Sequence, residues 1–263
     1  MNLPNEEAGR KQVQAAFGAQ LRKMGQLLRL AFVVVGEGRL RIGKPRGADA
    51  TVPRVVTGLF AKACKTYRGI VLLCEAGLAE DAFILARGLF ETTLAVFWVL
   101  QRASRRRAQM YVVHLAMRDR KLLQELQKTR GLKRYARVGQ MRALDAQVAS
   151  LCEGLTPQQT LRLADKYSGL SILDTAKAVR LLQLYQLFYR HASSFSHGSD
   201  LSSHLSLTSE GQAVLHVEPR PSANLKRAMG MSYAFFLALL GKLNDRLGLG
   251  HDADIATTPR NIS

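Results

Sequence analysis

A chain of 263 residues that is 47% apolar holds enough hydrocarbon for a sizeable core, so neither a disulfide scaffold nor a disordered polyelectrolyte is expected. Its formal charge of +18 points to a polyanionic partner, because lysine and arginine neutralise phosphates and release their condensed counterions. Three cysteines, Cys64, Cys74 and Cys152, lack C-x-x-C pairing and read as reduced thiols of a cytoplasmic protein.

The opening MNLPNEEAGRKQ is polar and acidic, unlike a secretory leader. A first helix is predicted from about Asn5 to Val35, with Val13, Phe17, Leu21, Met24 and Leu28 recurring every three or four residues. Gly36, Gly38, Gly43, Pro45 and Gly47 then mark a basic loop. Pro53 reads as the first residue of a second helix, with Thr51 near its cap and Gly77 ending it. The third helix, Leu78 to Gln101, is apolar on nearly all sides and belongs in the core. The longest apolar runs, Leu94–Leu100 and Ala234–Leu240, fall short of the roughly 20 residues of a spanning helix. No membrane partner is therefore expected.

A fourth helix starts around Ser104 and is densely basic. Arg102 to Arg142 holds thirteen lysines and arginines against only Asp119 and Glu125, which makes this stretch the main source of the excess charge. Within it Arg105, Arg106, Arg107, Arg118 and Lys121 are candidates for nucleic-acid contacts. Tyr111 and Tyr135 lie in the same stretch and read as core or rim residues, with base stacking the alternative. Shorter helices are predicted over Gln140–Cys152 and, after Thr156-Pro157, to Tyr167. One long helix is predicted from Ser171 to His197, then a small β-hairpin within residues 203–218. Ser222 caps a last helix to Leu247, and residues 249–263 read as a disordered tail. The whole is all-α: an N-terminal helix and basic loop over 1–52, then a helical bundle domain over 53–248.

Two sets of polar residues sit where burial is predicted. Glu80, Arg87 and Glu91 fall on one stripe of the third helix, so Arg87 is expected to engage Glu91 or a nearby carboxylate or tyrosine. Tyr189, Ser193 and His197 follow at intervals of four, and Arg190 lies two turns before His197. A hydroxyl, a guanidinium and an imidazole converging on a helix C-terminus make either a site or a buried packing network. His191, His197 and His204 match no zinc template, and no metal or cofactor is expected.

The segment around Cys74-Glu-Ala-Gly77, Ala82 and Arg87-Gly-Leu-Phe-Glu91, together with Tyr189, Ser193 and His197, resembles a bacterial family of domains of unknown function, numbered 5677. The resemblance covers somewhat more than half the chain, implies a helical fold and gives no activity. Arg190-His191 and, after several more residues, His197 are also similar to the pattern of HEPN-type nucleases (Arg, a polar residue, several more residues, His), although the interior here is serine-rich. That second likeness implies a metal-independent ribonuclease or RNA-binding protein, working as a homodimer and often in toxin or phage-defence settings. In it Arg190 would hold the scissile phosphate and His197 act as general acid/base, with Tyr189, Ser193, His191, Arg87 and Glu91 in support. The alternative is a non-catalytic helical module that binds a partner protein or nucleic acid, its polar clusters structural.

Overall fold

A computed structural model describes residues 6–35, 51–136, 139–196, 205–215, 221–260 and 262. The chain is all-α with one small hairpin. The chain groups into two compact units. The first takes Met1–Arg41, Thr57–Val96 and Leu181–Ser263; the second takes Ile42–Val56 and Phe97–Arg180.

Helix α1 (Glu6–Val34) packs its apolar stripe, Val13, Leu21, Met24, Leu27 and Ala31, inside the first unit, where it contacts α10 (Ala223–Leu247). Helix α2 (Thr51–Glu75) begins at Thr51 itself and keeps Pro53 in its first turn, where the missing N–H costs nothing. Gly77, at φ 76°, ends it: the Gly77 and Leu78 amides turn back onto the Cys74 and Leu73 carbonyls, at 3.1 and 2.9 Å. Helix α3 (Ala79–Val99) is apolar all round and long enough to cross a membrane by length and composition, yet 67% of that window is buried within the protein.

Aromatic rings hold the first unit together. Phe236 of α10 is fully buried and stacks on Tyr67 of α2 with centroids 4.2 Å apart and on Phe60 at 5.9 Å. Phe90 of α3 meets Phe235 of α10 at 5.0 Å. Ser222 caps α10 by accepting from the Leu225 amide at 3.0 Å, and Gly248, at φ 61°, closes it.

The second unit is built on α4 (Ser104–Lys128), which packs against α5 (Gln140–Leu151) and α6 (Pro157–Asp165). Arg120 of α4 donates to Asp145 of α5 at 2.5 Å, and the His114 ring contacts the Leu163 carbonyl of α6 at 2.8 Å. The capping box of α6 is complete: Thr156 accepts from the Gln159 amide, and the Gln159 side chain takes the Thr156 N–H.

The single long helix expected from Ser171 to His197 is broken. Helix α7 (Ile172–Ala178) is capped by Ser171 and stops where Arg180 takes a left-handed φ of 63°. The boundary between the two units falls at this residue. After it come a single turn α8 (Leu182–Leu184), a π-helical turn over Tyr185–Tyr189, and α9 (Arg190–Ser196). Nothing in Val179-Arg180-Leu181 is a glycine or proline, so no local breaker signal marks this junction.

Strands β1 (Leu205–Leu207) and β2 (Ala213–Leu215) pair antiparallel, with Leu205 opposite Leu215. Beyond α10, where the sequence reads as a disordered tail, the described residues include a short helix. Asp252–Thr257 form α11, tied down by Asn244, which donates to Asp252 at 2.9 Å and accepts from the His251 amide at 3.0 Å.

Candidate functional site

The polar residues of α3 meet Tyr189, which ends the π turn, and Ser193, which follows it. In that turn the Arg190 amide donates to the Tyr185 carbonyl five residues back. The added residue underwinds the helix locally, and Tyr189 and Ser193 both reach α3.

Arg87 donates from Nη2 to the Tyr189 hydroxyl at 2.9 Å, from Nε to Glu91 Oε1 at 3.3 Å, and from Nη1 to Ser193 Oγ at 3.4 Å. Tyr189 in turn donates to the same Glu91 oxygen at 2.9 Å, which closes a three-membered ring of donors and acceptors. The guanidinium carbon also lies 4.7 Å from the Tyr189 ring centroid. All four residues belong to the first unit.

The electrostatics follow from this geometry. Burial alone would lower the Arg87 pKa, but hydrogen bonding to Tyr189 and the charge of Glu91 outweigh it and hold the guanidinium above its ordinary value. Burial and the Glu91 carboxylate raise the Tyr189 pKa, against the opposing pull of Arg87. The network is not sealed: the Arg87 side chain keeps 23% of its surface and Glu91 39%.

Arg190 and His191 point elsewhere. Arg190 is exposed and is not a member of the ring formed by Arg87, Glu91 and Tyr189. His191 sets its imidazole edge-on against Phe83, at 5.5 Å, and Phe195, at 5.2 Å. His197 and His204 lie outside the described residues, so the Arg190–His197 pairing does too. Among the described residues no three His, Cys, Asp or Glu side chains gather as a metal site.

The basic stretch divides. Arg105, Arg106, Arg118 and Lys121 are exposed, the last two loosely paired with Asp119 at 3.7 Å and Asp165 at 3.9 Å. Arg107 corrects the sequence reading. Its guanidinium turns inward over Trp98, 5.0 Å from the ring, and donates to the Trp98 carbonyl at 2.8 Å and to the Gln101 side chain. Arg107 thereby ties the end of α3 to the start of α4. Tyr135 corrects it in the other direction: it is neither core nor rim but 59% exposed in a 3₁₀ turn over Lys133–Tyr135, with the Arg134 guanidinium 5.0 Å from its ring.

With these positions fixed, residues 54–213 match the sequence profile described as Family of unknown function (DUF5677). The chain belongs to this family. No curated protein and no solved structure matches it. In this DUF5677 member the matched segment includes Arg87, Glu91, Tyr189 and Ser193 as well as the whole of α4.

The network makes a thermodynamic prediction. Arg87→Met leaves Glu91 without its cation and should destabilise by about 1–3 kcal/mol, the lower half being favoured because Glu91 is more than a third exposed. Tyr189→Phe should remove about 1 kcal/mol. In a double-mutant cycle read by urea unfolding, the two should couple by roughly 1 kcal/mol. Additivity of the two changes would show that the ring does not act as a unit.

Proposed function

We propose that this DUF5677 member binds single-stranded RNA through the basic surface of its second unit. The observation that carries the reading is Tyr135, an exposed aromatic face beside Arg134 in a turn that also presents Lys133 and Arg130. Every nucleobase offers a π-face to such a platform, while the flanking cations track the backbone. Arg102, Arg105, Arg106, Arg130, Lys133, Arg134 and Arg142 are all exposed, and among the described residues none has a carboxylate within ion-pair distance.

A second reading adds metal-independent cleavage, and the exposure of Arg190 at the start of α9 favours it. Arg190 would clamp the scissile phosphate through its planar fork. His197 would take the proton from the ribose 2′-hydroxyl as that oxygen bonds to phosphorus and the bond to the 5′-oxygen breaks, the departing oxygen taking a proton from water. Arg87, Glu91, Tyr189 and Ser193 then serve to position α9 and do not touch the substrate.

One set of incubations tests both. A labelled short RNA in EDTA should bind with an affinity that falls with salt between about 50 and about 200 mM. Joint replacement of Arg105, Arg106, Arg130 and Arg134 by Glu should weaken binding by about a hundredfold or more and flatten the salt slope. Tyr135→Ala should lose about 1–3 kcal/mol. Undiminished binding by the quadruple variant would sink the RNA-binding reading. For cleavage, products on a gel should vanish in both Arg190→Ala and His197→Ala; cleavage surviving in either removes that site.

A further inference from the structure

One face of α10 stays out of the aromatic core. Ala223, Lys226, Arg227, Gly230, Met231 and Ala234 follow at helical spacing and line one wall of a cavity of about 430 Å³. Gln20 of α1 also lines it, as do Arg260 and Ile262 from beyond α11. Every lining residue belongs to the first unit, whereas the RNA-binding residues proposed above belong to the second.

The lining is mainly apolar, with Ala223, Met231, Ala234 and the buried Ile262, yet Lys226, Arg227 and Arg260 bring three positive charges to it. Among the described residues no carboxylate pairs with any of the three. Bringing like charges together from two separate segments is unfavourable unless an anion answers them. Lys226 also sits in the first turn of α10, where the helix dipole disfavours a cation and no acidic residue offsets it.

Gly230 is the independent observation. It lies inside a 25-residue helix, where glycine is destabilising relative to alanine, and a Cβ built there meets nothing within 4 Å. Packing within the protein therefore does not require a glycine at this position. The missing side chain instead leaves bare backbone in the wall of the cavity, where a flat group can approach closely.

We infer that this cavity binds a small organic phosphate, its apolar part laid against Gly230, Met231 and Ala234 and its phosphates held by Lys226, Arg227 and Arg260. The volume falls within the range of small-molecule sites. Two arginine forks match phosphate oxygens in pairs, and the lysine adds a point charge. Gln20 supplies a neutral amide that can donate to or accept from the ligand.

The test uses the full chain with ADP, inorganic pyrophosphate and adenosine as probes, read by calorimetry. ADP should bind saturably, pyrophosphate more weakly, and adenosine not measurably at about 1 mM. Arg227→Glu with Arg260→Glu should weaken ADP by about thirtyfold or more. Gly230→Ala should raise the melting temperature while weakening ADP, and Gly230→Leu should abolish ADP binding in a protein whose far-UV spectrum is unchanged. RNA binding by Gly230→Leu should remain at the wild-type level, which separates this site from the basic stretch of the second unit. The inference is overturned if neither ADP nor pyrophosphate binds, if adenosine binds as tightly as ADP, or if the double charge reversal leaves ADP affinity intact.

Discussion

Phe236→Ala is expected to destabilise the first unit by about 3–5 kcal/mol, the range for deleting a buried phenyl ring. Phe236 has no exposed surface and stacks on both Tyr67 and Phe60, nearly parallel to each, with interplanar angles of 11° and 8°. Its loss removes two stacked contacts and leaves a cavity that two helices, α2 and α10, would have to collapse to fill. Tyr67 provides the contrast. Its hydroxyl is buried without a hydrogen-bond partner, so Tyr67→Phe should be neutral or stabilising by up to about 1 kcal/mol. Guanidinium titration followed by circular dichroism reads both changes. The sole tryptophan, Trp98, lies in the second unit, so its fluorescence tells whether that unit follows the first. A Phe236→Ala loss below about 1 kcal/mol would mean that the three rings do not form the core described here.

The helices themselves were legible because their ends carry chemistry. Ser222, Ser171 and the Thr156-Pro157 pair all cap helices, and Gly77 and Gly248 follow helix ends in the left-handed conformation. Arg87 and Glu91 were legible for a different reason: charges on an otherwise apolar helix have to find partners, and Tyr189 is such a partner. The break at Arg180 was not, since a non-glycine residue in the left-handed region is held there by tertiary packing and not by its own preference. The π turn left no local signal either: Tyr185-Gln-Leu-Phe-Tyr189 reads as ordinary helix, and its fifth-residue hydrogen bond shows only in coordinates.

Burial decided the remaining misreadings. Arg107 and Arg106 are neighbours of the same type, yet one covers Trp98 and the other faces solvent, a difference set by which side of α4 meets the end of α3. The cavity beside α10 draws on residues as distant as Gln20 and Arg260, and no spacing rule joins positions so far apart. The ordering of α11 has the same origin, because Asn244, one turn before the end of α10, is what anchors Asp252 and the His251 amide.

Raising the pH above 9 should progressively destabilise the first unit. Burial pushes the Cys64 thiol up to about 12 from an ordinary 9.0, a backbone hydrogen bond opposing it only in part. Burial pushes Cys74 up to about 12 as well, with the Glu75 charge adding to the effect. Burial also lifts the Tyr67 hydroxyl well above its ordinary 10.0, the neighbouring Tyr233 and Cys74 contributing. Each of these groups holds its proton more tightly when folded, so above pH 9 the unfolded chain binds fewer protons and stability falls with pH. The stabilisation is fully present below pH 9 and is lost progressively as pH rises toward 12. Two thiols titrating together give a slope approaching roughly 2.7 kcal/mol per pH unit, so on the order of 4 kcal/mol should be gone by about pH 10.5. Denaturant midpoints at a series of pH values measure this slope, and return to pH 7 should restore the native signal. Cys74→Val shifts the absolute stability through packing, but its distinguishing mark is a shallower pH dependence, nearer one proton than two. A stability that stays flat to pH 11 would mean that both thiols are open to water, contrary to the packing of α2.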